Sequence, residues 1–396
     1  MQIKTVLSVH NHYQQPGGED EVFAAETALL ERQGHRVIRY QDHNTRIRNG
    51  ALTGLATTWN HRSYLRLRRV IAETRPQIAH FHNTFPLISP AAYYAAKRSG
   101  LPVVQKLGNF RLICPGSYLL RDGRVCEKCI EKQSLLPAIQ HGCYRGNAAA
   151  SAAVSCMLAT HRAIGTWNRA VDIYIAATEF TRAKFIQAGF PGERILIRHH
   201  AIYDDPGPGA GRGGYALFVG RLSAEKGIDT LAEAWRRLPD IPLKVAGDGP
   251  LNKTQWPASV TALGHQSRQQ IQTLMKDAAV VIVPSIWYEF VPLTLLEAFV
   301  CGTPVIASNL GSMAERVDHH RTGLLFRPGD PEDLAHHVRW AFDHPEQLTA
   351  MRAAARREYE TRYTAEINYK RLIEIYSLAI ENAKQAPARL ALAPES

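Results

Sequence analysis

Residues 280–308 read VVIVPSIWYEFVPLTLLEAFVCGTPVIAS. Val280, Val281, Ile282 and Val283 form a short β-branched run, long enough for a strand buried on both faces of a parallel sheet and too short for an ordinary helix. Pro284 and Ser285 end it. Glu289 falls in the loop that follows, Pro292 suits a first helical turn, and residues 293–300 carry good helix formers up to Gly302, a C-cap candidate. The next strand is expected over 304–307.

Ligands of open α/β sheets bind beyond the carboxyl ends of the strands, where a helix N-terminus offers unpaired N–H groups and a positive dipole end to phosphate. The backbone of residues 292–295 therefore faces a candidate anion site. Glu289 precedes the helix and Glu297 lies inside it, so the two carboxylates reach different parts of one ligand. Carboxylates accept hydrogen bonds from sugar hydroxyls and are poor neighbours for phosphate itself.

The same unit recurs on either side. Downstream, GSMAERV and TGLLF add a loop with a helix and a strand, and residues 365–384 form a long final helix ahead of about a dozen residues expected to be disordered. Upstream, a strand over 215–219 leads into GRLSAEKG, then a helix over 229–238, a strand over 243–246 and GDGP. Arg221 and Lys226 flank that first turn, where two cations suit a diphosphate and a lysine can meet a leaving group's developing charge. Gly247 and Gly249 let backbone approach a ligand closely.

Residues 204–214, DDPGPGAGRGG, hold few side chains able to pack, and 206–214 reads as the link between domains. Ahead of it, strands are expected over 4–9, 35–40, 77–81, 102–107 and 174–178, with a helix after Glu21 whose Val22, Ala25, Leu29 and Leu30 share one face, and helices over 90–98 and 181–189. The first strand opens into NHYQQPGGEDE, whose Gly17 and Gly18 allow close backbone approach without making a GxGxxG fingerprint. Loops HNTFP and GNFR leave neighbouring strand ends on one edge, so His82, Asn83, Asn109 and Arg111 are candidates for a substrate side.

Cys114, Cys126, Cys129 and Cys143 include one CxxC; packed thiols and a structural zinc both fit, although the flanking spacings match no standard finger. Cys156 and Cys301 are isolated and expected in the core.

A chain of 396 residues implies about two domains. The start is a strand signal rather than a secretory h-region, and no window approaches a membrane span, so a cytoplasmic protein is expected. The net charge is +11, and residues 1–112 hold 15 Lys/Arg against 7 Asp/Glu. Such a field favours anionic partners. In HRSYLRLRRVIAET, Tyr64, Leu67 and Ile71 align at helical spacing while Arg62, Arg66 and Arg69 lie elsewhere. A membrane-surface helix and a helix packed on its own domain both satisfy that pattern. No recognised nucleic-acid module is present.

GGED, GRLSAEKG, GDGP and EFVPLTLLEAFVCGTPVIAS together resemble the family 4 retaining glycosyltransferases of GT-B fold. NFRLICPGSYLLRDGRVCEKC resembles members that build bacterial exopolysaccharide, capsule or O-antigen. The resemblance implies two doubly wound Rossmann-like domains facing across a cleft: 1–205 on the acceptor side, the link 206–214, a nucleotide-sugar domain over 215–364, and 365–396 returning to the first domain. It also implies roles. Arg221 and Lys226 would bind the donor diphosphate, Glu289 the sugar hydroxyls and Glu297 the ribose. The N–H groups of Val291, Pro292's neighbours Leu293 and Thr294 would cradle phosphate, with Gly247 close by and the Gly17–Gly18 loop over the donor.

No resident cofactor or metal is expected, and the absence of a DxD sequence agrees with that. The partners implied are a nucleotide diphosphate sugar, a glycan or polyprenyl-linked acceptor and an anionic membrane surface at the inner face of the cell membrane. A sugar-nucleotide epimerase of the same fold and an inactive nucleotide-sugar binder are the alternatives. One departure stands out. Where the family commonly has His in a T-x-H-N-[YF]-R run, this chain reads KLGNFR with Gly108, which removes a hydrogen-bond partner; His82 is the candidate to fill the gap.

Overall fold

The computed structural model describes residues 3–14, 17–47 and 50–385. The chain divides into two compact units. Unit 1 comprises the chain up to Tyr118, Glu127–Arg198 and the residues from Tyr369 on; unit 2 comprises Leu119–Cys126 and His199–Asn368. The segment expected to be disordered lies, from residue 386 on, outside the described residues.

Unit 1 is built on a six-stranded parallel sheet made of β1 (Thr5–His12), β2 (Arg36–His43), β3 (Ile78–Asn83), β4 (Val103–Lys106), β7 (Ile173–Ala176) and β8 (Ile195–Ile197). Its order is β2-β1-β3-β4-β7-β8. A two-residue antiparallel pair, β5 (Leu120–Arg121) and β6 (Arg124–Val125), belongs to unit 2. One face of the sheet, with Val6, Ile78, Val104, Ile173 and Ile175, packs against Leu372, Ile375, Tyr376 and Ala379 of helix Ala365–Gln385. Those four helix positions follow the i, i+3, i+4, i+7 rule of an amphipathic stripe.

Unit 2 repeats the plan with β9 (Ala216–Val219), β10 (Leu243–Ala246), β11 (Val260–Gly264), β12 (Val280–Val283), β13 (Val305–Ser308) and β14 (Gly323–Phe326) in the order β11-β10-β9-β12-β13-β14. Both faces are covered. Val280 and Ile282 join a core with Phe218, Trp235 and Leu334, while Val281 and Val283 join the opposite core with Leu217, Leu295, Phe299 and Tyr359. A continuous apolar run is what a strand buried on both sides requires. The strand over 280–283 and the helix Leu293–Val300 fall where the pattern put them, whereas β8 and β11 were not anticipated. Strand β11 is partly exposed, so its sequence lacks that apolar signature.

Helix His61–Thr74 commits Tyr64, Leu67 and Ile71 to the interior of unit 1, and Tyr40 Oη donates to the Ser63 carbonyl at 3.1 Å. Arg62, Arg66 and Arg69 stay exposed on its other side. Cys301 is buried as expected, but Cys156 is exposed on helix Ala148–Ala163, a correction to its expected place in the core. Among the described residues no helix is long and apolar enough to cross a membrane.

Residues 206–214, expected to link two domains, lie inside unit 2, and the units part at Arg198 and His199 instead. The N–H groups of Gly209, Gly211 and Gly213 donate to the carbonyls of Cys301, Lys276 and Asp277 at 2.9, 3.0 and 2.9 Å. Arg352 and the Lys276 ammonium hold the carbonyls of Gly209 and Pro206. A strip with few side chains packs by its backbone.

The loops at the carboxyl ends of β9, β10 and β12 meet through backbone as well. A Cβ on Gly247 (φ +143°) would lie 1.9 Å from the Gly220 carbonyl oxygen, and one on Gly227 (φ +74°) 1.9 Å from that of Pro284. The close approach read at Gly247 is therefore to another loop of the protein. Both the steric overlap and the positive φ oppose any side chain, so Gly247→Ala is expected to cost on the order of 3 kcal/mol. A thermal or urea midpoint indistinguishable from that of the parent chain would refute the contact.

Candidate functional site

In unit 2 the chemistry gathers beyond the end of β12. Glu289 is buried, and its Oε1 accepts three hydrogen bonds: from Lys226 Nζ at 2.6 Å, Ser285 Oγ at 2.6 Å and Trp287 Nε1 at 3.2 Å. Its other oxygen, Oε2, has no hydrogen-bond partner among the described residues. Gly227 explains how Lys226 arrives there. Its contact with Pro284 and the hydrogen bond from Ile286 N–H to the Glu225 carbonyl at 3.0 Å clamp the turn Ala224–Lys226 onto the end of β12.

Arg221 is more exposed and pairs with Glu225 at 2.5 Å, its Nε reaching Ser223 Oγ at 3.3 Å. Burial raises the Glu225 carboxyl, but hydrogen bonds from Ser223 and Arg221 outweigh it and hold the group below its ordinary range. Helix Leu293–Val300 starts after Pro292. Its Leu293 N–H is spent on the Val291 carbonyl at 2.9 Å, and Thr294 Oγ1 donates to the Val219 carbonyl at 3.3 Å, which ties the helix start to β9. The partly buried Glu297 lies one turn further on.

In unit 1, Gly17 caps helix Gly18–Arg32, and nothing lies within 4 Å of a Cβ built on it. Asp20 in that first turn gathers the loop. Its Oδ2 accepts from Gly17 N–H at 2.9 Å, and its Oδ1 lies 2.9 Å from His10 Nε2 and 3.0 Å from His12 Nδ1. Burial lowers His12, with His10 adding to the effect, so that ring stays neutral.

Deeper in, Glu26 is wholly enclosed and pairs with Arg198, with Lys106 3.5 Å away and His80 and His82 at 3.1 and 3.3 Å. Burial pushes its carboxyl up; Arg198 and then Lys106 outweigh it and hold it well below the usual range. His82 is a buried member of this cluster, kept neutral by burial and by His80. It therefore does not fill the place beside Gly108, as expected from sequence; the Glu19 carboxylate does. Asn109 Nδ2 donates to Glu19 Oε1 at 2.7 Å, and Asn109 Oδ1 accepts from Arg111 N–H at 2.8 Å. Arg111 stacks 4.3 Å from the Phe85 ring and donates to the Pro115 carbonyl and Ser117 Oγ.

His82, Asn83, Gly108, Asn109 and Arg111 all line one pocket, so the residues read from two separate loops come together. Its enclosed volume of about 40 Å³ has room for a few waters.

Among the described residues, three metal-ligating atoms come within 4.8 Å of one another in two places, His10/His12/Asp20 and Glu26/His80/His82; neither includes a cysteine. The second set already holds Arg198 and Lys106, whose charges oppose a metal ion. The first is a closed hydrogen-bonded set in which both imidazoles address one oxygen.

Residues 208–358 match the model of the glycosyl transferases group 1 family. Arg221, Lys226, Gly247, Glu289, Val291, Pro292, Leu293, Thr294 and Glu297 fall inside that range, and Gly17, Gly18, His82, Asn109 and Arg111 outside it. Among curated relatives, glycogen synthase of Mycobacterium tuberculosis is 30% identical over 186 residues, 44% of this chain and 45% of that protein. The D-rhamnosyltransferase WbpZ of Pseudomonas aeruginosa is 29% identical over 161 residues, 38% and 42% of the two chains. The chain thus spans about half the length of the curated relatives it matches.

Solved structures resemble it over nearly its full length. HepE of Anabaena in complex with UDP has a TM-score of 0.68 at 16% identity, covering 95% of this chain and 100% of that one. Sucrose-phosphate synthase of Thermosynechococcus elongatus has 0.68 at 15%, covering 94% and 98%. The fold is that of GT-B glycosyltransferases, with two parallel-sheet α/β domains.

Ser285, Trp287 and Gly227 were not singled out as site residues, although the first two sit in the stretch 280–308 and the third in GRLSAEKG. Trp287 was the most visible signal, two residues before Glu289. Lys106 was also missed, and nothing in KLGNFR marks its ammonium as buried.

Burial draws Lys106 from 10.5 down to about 8, Glu26 offsetting part of the effect. An unfolded chain keeps that proton to about 10.4. Between about pH 8 and 10.5 the unfolded state then binds more protons, so this group's contribution to stability rises with pH across that window and is lost as pH falls through 8. An NMR titration of the Lys106 side chain is expected to show a midpoint near 8, and a midpoint above 10 would contradict its burial against Glu26.

Proposed function

We propose that the chain is a family 4 retaining glycosyltransferase of bacterial surface polysaccharide synthesis. It moves a hexose from a nucleotide diphosphate sugar to a glycan or polyprenyl-linked acceptor. The observation that carries this is the Lys226–Glu289 pair at 2.6 Å beyond the end of β12, within the family-matched range. HepE, of the same fold, binds UDP and UDP-glucose.

In this reading the bond from the sugar's anomeric carbon to the diphosphate oxygen breaks while the new bond to an acceptor hydroxyl oxygen forms, the hydroxyl proton passing to the departing diphosphate. The Lys226 ammonium, freed from Glu289 as donor binds, opposes the charge growing on the diphosphate. Arg221 adds a second positive charge, and the N-terminus of helix Leu293–Val300 supplies its dipole. These groups take the part a divalent cation plays elsewhere. Glu289 Oε2 accepts from sugar hydroxyls, and Glu297 accepts from the ribose. Retaining hydrolases use a pair of carboxylates about 5 Å apart; no second carboxylate is assigned beside Glu289, so no nucleophile is named. The exposed basic side of helix His61–Thr74, with Arg62, Arg66 and Arg69, suits an anionic membrane that carries the acceptor.

A cation aimed at a developing oxyanion is worth roughly 3 to 4 kcal/mol. Lys226→Ala is accordingly expected to lower turnover on the order of a hundredfold in folded protein, with a lowered thermal midpoint, since the buried Glu289 keeps Ser285 and Trp287 but loses its cation. Turnover within a few-fold of wild type would sink the assignment. Binding is tested separately, by thermal stability against UDP, GDP, ADP and their hexose conjugates. A donor at 100 times its Kd is expected to add roughly 2.7 kcal/mol, and Glu297→Ala to abolish the rise. No rise with any nucleotide would remove the proposed donor site.

A further inference from the structure

Position 108 has a glycine, and its space is taken. A Cβ built there would lie 2.8 Å from Glu19 Oε1 and 3.0 Å from the Glu19 carboxyl carbon. Glu19 stands in the first turn of helix Gly18–Arg32. Its Oε1 accepts from Asn109 Nδ2 at 2.7 Å and its Oε2 from Tyr13 Oη at 2.7 Å, while Asn109 Nδ2 also approaches Tyr13 Oη at 3.3 Å. Two side chains, Tyr13 from the loop after β1 and Asn109 from the loop after β4, thus fix one carboxylate.

Both of its partners are neutral. Burial, with Glu19 itself, raises the Tyr13 phenol well above its ordinary value, so it remains a donor. Among the described residues Glu19 has no ion pair. Of the cations that line the adjoining pocket, Lys106 lies 3.5 Å from Glu26 and feels the Glu19 charge only from beyond ion-pair distance, and Arg111 holds the Pro115 carbonyl and Ser117. A half-buried carboxylate held by neutral donors, each oxygen with a further lone pair, is an acceptor waiting for a donor.

We propose that Glu19 is a specificity-determining residue of unit 1 that accepts hydrogen bonds from a hydroxyl or amino group of a sugar-bearing acceptor, Gly108 being the vacancy that lets its carboxylate stand there. The inference rests on the function proposed above for the assignment of an acceptor to this unit. It adds a substrate class. Neutral and amino sugars are taken, and a sugar bearing a carboxylate at this point is refused by like charge.

The test uses the full chain and three probes, octyl glucoside, octyl glucosaminide and octyl glucuronide, below their micellar concentrations, with binding followed by saturation-transfer NMR and titration. Wild type is expected to bind the glucoside or the glucosaminide at least tenfold more tightly than the glucuronide. Glu19→Gln removes the charge at constant shape and should erase most of that ratio. Glu19→Ala should weaken the preferred glycoside roughly tenfold or more. Gly108→Ala should do the same by displacing the carboxylate, and should add nothing in the Glu19→Ala background.

Thermal midpoints establish that each variant is folded, and a lost charge preference is a signature that misfolding does not produce. Equal binding of glucoside and glucuronide by wild type, a ratio unchanged in Glu19→Gln, additive losses in the double variant, or no binding of any probe would each overturn the proposal. Nucleotide binding is read separately. If the glycoside preference holds while no nucleotide raises the thermal midpoint, the donor reading fails and Glu19 keeps its role.

Discussion

The contact of one backbone with another, where no side chain fits, sets the geometry of unit 2. Gly227 lies against the Pro284 carbonyl and Gly247 against that of Gly220, so the loops leaving three adjacent parallel strands are stacked with no side chain between them. The consequence is chemical. Lys226, one residue from Gly227, is delivered to Glu289 from a different strand's loop, and the pair forms without either side chain searching for the other. Positioning of this kind is settled at folding, so little of it need be settled again when a ligand binds.

How far this was legible from sequence depends on what each residue type reveals. The strand Val280–Val283 and the helix Leu293–Val300 were plain, because a two-sided core demands a continuous apolar run and the helix has its proline at one end and glycine past the other. The two carboxylates and Lys226 were legible as candidates. Their partners were not: Ser285 and Trp287 look like ordinary loop residues until the loop is closed. Gly247 was read as room for a ligand, and 206–214 as a link; in both places the missing side chain also serves packing within the protein. A glycine announces close approach and is silent on what approaches.

Unit 1 shows the complementary limit. His82 sat on a promising loop, yet its imidazole belongs to a buried set around Glu26 that includes Arg198, 172 residues away in the chain. Nothing local in HNTFP signals a distant carboxylate. Burial of Glu26 without a matching cation would be severely unfavourable, whereas Arg198 and Lys106 together make it tolerable. The histidines then complete a polar interior under the loop that carries Gly17 to Asp20. The loops at this sheet edge accordingly rest on an ionic floor, and those of unit 2 on backbone.

The division of the chain has a topological meaning of its own. The polypeptide passes from one unit to the other four times, at residues 118–119, 126–127, 198–199 and 368–369. Neither unit is therefore a contiguous stretch of sequence, and a single proteolytic nick at any one passage leaves the halves covalently tethered by the others. Each tether also shortens the free loops and keeps the local concentration of one half about the other high. Exchange of a unit between related chains would need several matched junctions rather than one, so variation among them is more easily gained by substitution within the loops than by shuffling whole halves.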